Sequence, residues 1–160
     1  MSAHSTIASD DEILALQRLE ATVARAFNDK DVDALMSVYA RGKALFVYDV
    51  VGPPGVYLSW DAYREAFKHF FGSLSGQLRF SVSDLDIEVS GDIGYSRSLQ
   101  HVSGVSAADG EPLHYTVRVT DVYRKINGTW LIVQEHVSLP IDRTTRSPML
   151  HVSLPTNRSV

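Results

Sequence analysis

An α+β fold is what this chain predicts: a cone-shaped, curved antiparallel sheet wrapped by three N-terminal helices. Three observations carry that expectation. Helical spacing of apolar residues is confined to the first 72 positions. The rest, from residue 78 to 138, is β-rich and broken by the turn pairs Gly91-Asp92, Asp109-Gly110 and Asn127-Gly128. Helices followed by a strand meander is an α+β order, not an alternating α/β one.

Taken in order, residues 1–8 read as a disordered N-terminus, 9–141 as one domain and 142–160 as a tail. Ser9 with Glu12 fits a capping box that opens the first helix, whose buried stripe is Leu16, Leu19, Val23, Ala26 and Phe27. Asp31 can cap a short second helix carrying Val32, Leu35, Met36, Val38 and Tyr39, stopped by Gly42. Ala44 to Asp49 is a β-rich run. Gly52-Pro53-Pro54-Gly55 turns the chain into a short strand, Val56 to Leu58. Ser59 caps a third helix with the stripe Tyr63, Ala66, Phe67, Phe70 and Phe71. Along 78–90 the inward parity slips between Phe80 and Val82 and the set Leu85, Ile87, Val89, so a bulge is expected near Ser83-Asp84. Asn127-Gly128 supplies both positive-φ residues of a type I′ hairpin turn. On the last strand, Leu131, Val133, Glu135 and Val137 form one candidate inner set and Trp130, Ile132, Gln134 and His136 the other. One bulge would exchange them.

Composition excludes several classes. The 160 residues are 44% hydrophobic and 21% charged, with net charge −4 and no cysteine, so one ordinary core is expected and thiolate chemistry is excluded. Lys and Arg are scattered, which argues against nucleic acid as a partner. No leader pattern and no apolar run of membrane length is visible, so no membrane association and a cytoplasmic location are expected. The six histidines, at 4, 69, 101, 114, 136 and 151, include no metal-motif spacing on one element, so no metal is expected. No Gly-rich phosphate loop is present, and the prolines at 53 and 54 lack the N–H groups such a loop needs, so no cofactor is expected.

Asp121 stands between Val119 and Tyr123 at period two, a carboxyl on an otherwise apolar face. Desolvation there should raise its pKa. Asp49, beside the Gly-Pro loop, should stay ionised at a pocket mouth. Unlike environments can split two carboxyls into acid and base, so the two form the candidate catalytic pair. The structural alternatives are a strand-end role for Asp49 and an Arg pairing for Asp121. Tyr48, Tyr57, Trp60, Phe67, His101, Tyr115, Tyr123, Glu135 and His136 are the candidate binding residues, and their aromatic character points to a small apolar or aromatic ligand. His136-Val-Ser-Leu-Pro140 recurs as His151-Val-Ser-Leu-Pro155, so the second copy could imitate the end of the last strand at a sheet edge or in a dimer partner.

The segment Arg118-Val-Thr-Asp-Val-Tyr-Arg-Lys-Ile-Asn-Gly-Thr-Trp130, continuing to Glu135-His136-Val-Ser-Leu-Pro140, resembles the SnoaL-like branch of the nuclear transport factor two-like superfamily. Gln134 stands where that branch often has His. Tyr48-Asp49-Val50-Val51-Gly52 and Asp121-Val122-Tyr123-Arg124 are similar to the two aspartate motifs of ketosteroid isomerase, whereas Val23 stands where that enzyme has a helix-one phenol. The resemblance implies a homodimer through the outer sheet face. It implies two functional alternatives: a cofactor-independent isomerase, cyclase or dehydratase acting on an apolar carbonyl compound, or a non-catalytic ligand-binding or dimerisation module.

Overall fold

The computed structural model describes residues 10–53 and 55–154. The expected disorder of residues 1–8 and the Ser9 cap lie outside them. Helix α1 spans Asp10–Asp29 and buries Leu16, Leu19, Val23, Ala26 and Phe27 as their spacing predicts, but also Glu20. Helix α2, Val32–Met36, is capped by Asp31, whose side chain accepts from the Ala34 N–H. The chain then leaves the helix at Ser37. The carbonyl of Val38 accepts from the Ile132 N–H, and the Ala40 N–H donates to the Ile132 carbonyl. That clamps the end of the helical layer to the sheet. Helix α3, Trp60–Gly72, is capped by Ser59 and buries Trp60, Tyr63, Phe67 and Phe71.

Among the described residues the strands are β1 (Phe46–Tyr48), β2 (Val56–Tyr57), β3 (Leu74–Ser90), β4 (Ile93–Ser106), β5 (Pro112–Ile126) and β6 (Thr129–Ser138). They form one sheet in the order β2-β1-β6-β5-β4-β3. The meander is antiparallel as expected, but β1 runs parallel to β6, so the sheet is mixed. The bulge expected near Ser83-Asp84 is present, with a register shift between Ser83 and Asp86 and Asp84 at φ 54°. A second shift, between Ser75 and Arg79, follows Gly76 at φ 60°. These bulges bend β3 so that the sheet wraps the helices. The core lies in between, and Phe27 stacks on Phe80 at 4.3 Å while meeting the edges of Phe67 and Phe71.

The decisive irregularity is on β6. The register with β5 passes from Gln134 opposite Val122 to Ile132 opposite Tyr123, so Val133 is an extra residue. Trp130 and Ile132 point inward before it, and Glu135 and Val137 after it. Each candidate inner set is therefore half right, and the bulge aims Glu135 into the core.

Beyond β6 the tail turns at Asp142, whose carboxylate accepts from the Thr144 and Thr145 N–H groups. It returns so that the Thr116 N–H of β5 donates to the Leu150 carbonyl and His151 packs edge-on against His114. The residue preceding the repeated His-Val-Ser-Leu thus sits at the sheet edge that β6 leaves uncovered. Pro155 lies outside the described residues.

Candidate active site

The inner faces of β3, β4, β5 and β6, the buried sides of α1 and α3 and the loop after β1 line a small cavity of about 30 Å³. Its walls include Phe27, Phe67, Phe80, Val102, Val117 and Val137, and its polar groups include Tyr39, Asp49, Tyr63, Gln100, Tyr115 and Glu135. Tyr63 is fully buried, and its phenol oxygen lies 2.6 Å from Asp49 Oδ2 and 2.5 Å from Glu135 Oε1. Tyr39 donates to the other Glu135 oxygen at 2.9 Å. The second Asp49 oxygen accepts from the Val51 N–H at 3.0 Å. One carboxyl therefore comes from the loop that follows β1 and the other from β6, and a single phenol from α3 bridges them.

A phenol carries one proton and can donate to only one carboxylate. The other contact at such a distance requires that carboxyl to carry a proton of its own and donate to the phenol oxygen. Burial acts the same way. Desolvation, then the charge of Asp49, pushes Glu135 up to about 7 against the pull of its tyrosine hydrogen bonds. Desolvation also raises Asp49, opposed by Tyr63 and the Val51 N–H, so this group is not the freely ionised carboxylate expected from its loop position. Tyr63 and Tyr39 are pushed up by burial and by the carboxylates they face, which keeps both phenols protonated donors.

Of the other candidates, Phe67 and Tyr115 line the cavity. Tyr57 is buried beside it, its hydroxyl donating to the Val51 carbonyl at 2.6 Å and so holding the loop. Trp60 donates its indole N–H to the Met36 carbonyl and lies under the Arg41 guanidinium, at the helical end of the core. Tyr123 and Asp121 are buried without lining the cavity. Asp121 has no Arg partner and sits behind Glu135, its cross-strand neighbour. Tyr123 donates instead to Glu20 at 2.5 Å. Tyr48, His101 and His136 lie on the outer face of the sheet, away from the cavity. His136 is the exposed cross-strand neighbour of Tyr48 on β1, and His101 bridges Ser83 and Thr116 at 2.9 Å each.

Four polar residues in or next to the cavity escaped the sequence-based candidate set: Tyr63, Tyr39, Gln100 and Glu20. Glu20 had a signal, since a glutamate inside the stripe Leu16, Leu19, Val23 breaks the amphipathic pattern. Tyr63 and Tyr39 read as core aromatics, because nothing local shows where a phenol oxygen ends.

Residues 17–142 match the SnoaL-like domain family, and the chain belongs to that family. Solved structures share the fold. An NTF2-like protein of unknown function from Pseudomonas putida matches with TM-score 0.79 and 20% identity, covering 91% of this chain and 99% of its own. A candidate scytalone dehydratase from Novosphingobium aromaticivorans matches with TM-score 0.72 and 13% identity, over 94% and 96% of the two chains. A ketosteroid isomerase-like protein from Erwinia carotovora matches with TM-score 0.67 and 16% identity, over 81% and 96%. No match was found among curated proteins. No described helix is long and apolar enough to cross a membrane.

Proposed function

We propose that this SnoaL-like domain is a cofactor-independent acid–base enzyme of the isomerase, cyclase or dehydratase kind, acting on a small apolar carbonyl compound. The observation that supports this reading is the Tyr63 bridge between Asp49 and Glu135 inside an apolar cavity. The pair Asp49 and Glu135 replaces the pair Asp49 and Asp121 that the sequence suggests. One proton shared by two carboxyls leaves one base and one acid at neutral pH.

In the simplest case, isomerisation, the ionised Asp49 takes a proton from the carbon next to the carbonyl. The C–H electron pair moves into the new carbon–carbon double bond, and the carbonyl oxygen takes the charge. That oxygen is met by the proton of Glu135 or the phenol of Tyr63. Asp49 then returns its proton to a different carbon.

The cavity is too small for a whole substrate. It adjoins an outer cleft of about 240 Å³ lined by Val50, Val51, Phe70, Tyr115, Leu139 and Leu150. In this reading the reacting carbonyl edge enters the cavity and the apolar body stays in the cleft. Names of structural neighbours as a candidate dehydratase and as isomerase-like agree with the class of reaction.

The test is proton–deuterium exchange at carbons next to the carbonyl, followed by NMR across a panel of planar enones and aromatic ketones. Wild type should accelerate exchange for at least one of them, and D49N and E135Q should each lower that rate about 100-fold or more. No acceleration with any compound, with ligands still perturbing cavity resonances, would move the assignment to a non-catalytic binding module.

The partner reading is a homodimer through the outer sheet face. Phe46, Gln134, Val122 and Tyr95 lie in one cross-strand row there, beside Val56, Tyr48 and His136 in the next. Phe46, Tyr48, Val56 and Tyr95 are exposed, so this face presents aromatic surface of the kind that interfaces use.

A further inference from the structure

The second His-Val-Ser-Leu of the chain takes no part in the cavity, yet its histidine has a defined place. Pairing of β6 with β5 ends at Ser138 opposite Arg118, which leaves the start of β5, from Pro112 to Val117, without β6 beside it. The tail comes back to that gap. Ile141 bridges to Pro148, the Asp142 N–H donates to the Ser147 carbonyl, and the Met149 N–H donates to the Pro140 carbonyl. The Leu150 carbonyl then accepts from the Thr116 N–H at 2.7 Å. The next residue, His151, meets His114, which stands two positions before Thr116 on β5.

The two imidazoles have ring centres 5.1 Å apart and planes at 77°. Both residues are exposed. Among the described residues, the histidine nitrogens engaged in hydrogen bonds are those of His101, which meets a hydroxyl on each side. The nitrogens of His114 and His151 are left to solvent. A neutral imidazole offers an in-plane lone pair and suits zinc, nickel and copper ions. A tetrahedral ion about 2.0–2.1 Å from one nitrogen of each ring sets the ring centres about 5 Å apart, which is the separation found here. One donor sits on a strand and the other on a segment tied to that strand by a backbone hydrogen bond, so the rings are held together before any ion arrives. Metal-motif spacing on a single element does not reveal this pair, because it spans two segments. Among the described residues no group of three or more His, Cys, Asp or Glu is placed to hold a metal, so the protein supplies two nitrogens and water fills the other positions. Such a site is open and exchangeable, unlike a zinc enclosed by four protein ligands.

We propose that His114 and His151 form a two-histidine site for one divalent ion of the zinc, nickel or copper kind, and that the bound ion fastens the tail to β5. The site is separate from the cavity and stands whether or not the protein is an enzyme. Its effect still reaches the neighbourhood of the cavity through the chain. Leu150, one residue before the ligand, lines the outer cleft with Val50, Phe70 and Tyr115. An ion on His151 therefore holds one wall of that cleft in place.

The test is titration of the full chain with zinc chloride, and separately nickel chloride, followed by calorimetry and by NMR of the histidine rings. The proteins are wild type, H114Q, H151Q and, as a control, H69Q, which removes an exposed histidine of α3. Wild type and H69Q should bind one ion per chain, with the His114 and His151 resonances responding together. H114Q and H151Q should each lose that saturable binding. A second readout follows the fastening itself. Zinc at about ten times its Kd should slow hydrogen exchange of the Thr116 N–H about tenfold in wild type and leave it unchanged in H151Q. Rings of His114 and His151 unmoved at millimolar metal, binding that survives either glutamine variant, or one ion shared by two chains overturns the proposal. So does Thr116 exchange that ignores saturating metal. Should a glutamine variant not fold, the wild-type ring resonances and Thr116 exchange decide.

Discussion

At the scale of the residue, Tyr63 carries the most. Its ring packs 4.6 Å from Phe67 and 5.1 Å from Tyr57, which fixes where the oxygen sits. Removing only that oxygen leaves the packing and strips a donor from the buried Glu135 and the half-buried Asp49. Y63F should therefore lose about 1–3 kcal/mol of stability at neutral pH, read by urea denaturation. Glu135 has the opposite signature. Its folded pKa of about 7 lies above the ordinary value of 4.5, so the native state binds more protons than the unfolded chain between those values. Its contribution to stability is fully present below about 4.5 and is lost as pH rises through about 7. E135Q, a neutral near-isostere, should accordingly be more stable than wild type at pH 8, by up to about 3 kcal/mol, with the difference closing toward pH 4.5. Thermal melts of both proteins across that range measure it, and a gap that widens on acidification would contradict the assignment.

At the scale of the element, the site depends on two local departures from regularity. The extra residue at Val133 lets one strand present both Ile132 and Glu135 to the core. Deleting Val133 would make the pleat regular, with Trp130, Ile132, Glu135 and Val137 all kept on the inner face. We expect that deletion to leave unfolding cooperative by circular dichroism, because both halves of the strand keep their core residues inward. The second departure is the close seat of α1 on the sheet at Gly94. A Cβ there would stand 3.0 Å from Leu16 Cδ1 and 3.1 Å from the Glu88 carbonyl. G94A should cost about 1–3 kcal/mol, measured by denaturation, since the backbone oxygen cannot yield and the helix must.

At the scale of the whole molecule, the two faces of the sheet have separate work. The inner face and helices build a carboxyl-lined cavity beside an apolar cleft, and the outer face displays Phe46, Tyr48 and Tyr95. The homodimer reading expects a two-protomer mass by sedimentation and a monomer for Y48E, with the cavity resonances unchanged. The tail belongs to the mouth. Leu150 lines the outer cleft, and its carbonyl is tied to the Thr116 N–H at 2.7 Å. A chain ending at Ile141 should bind an apolar fluorescent probe faster at the cavity mouth by stopped-flow, with its unfolding otherwise cooperative.

Much of the architecture was legible in local signals, because those signals act over a few residues. Asp31 and Ser59 cap helices by reaching N–H groups three positions on, and Asn127 and Gly128 adopt φ of 50° and 81° because an I′ turn needs both. The slip of parity near Ser83-Asp84 announced its bulge. The site was legible only in part. Asp49 and Glu135 stood among the candidates, and burial of Asp121 followed from its neighbours on the strand. What Asp121 touches did not, because the Val133 bulge inserts Glu135 between it and the cavity, and nothing in the composition of β6 chooses the bulged residue. The Tyr63 bridge joins positions 14 and 72 residues apart along the chain. The order of helices and strands was thus determined by the sequence itself, through short-range capping, turn and periodicity rules. Which carboxyls share a proton was decided only by tertiary structure, since a hydrogen bond depends on tenths of an ångström between side chains brought together by the fold.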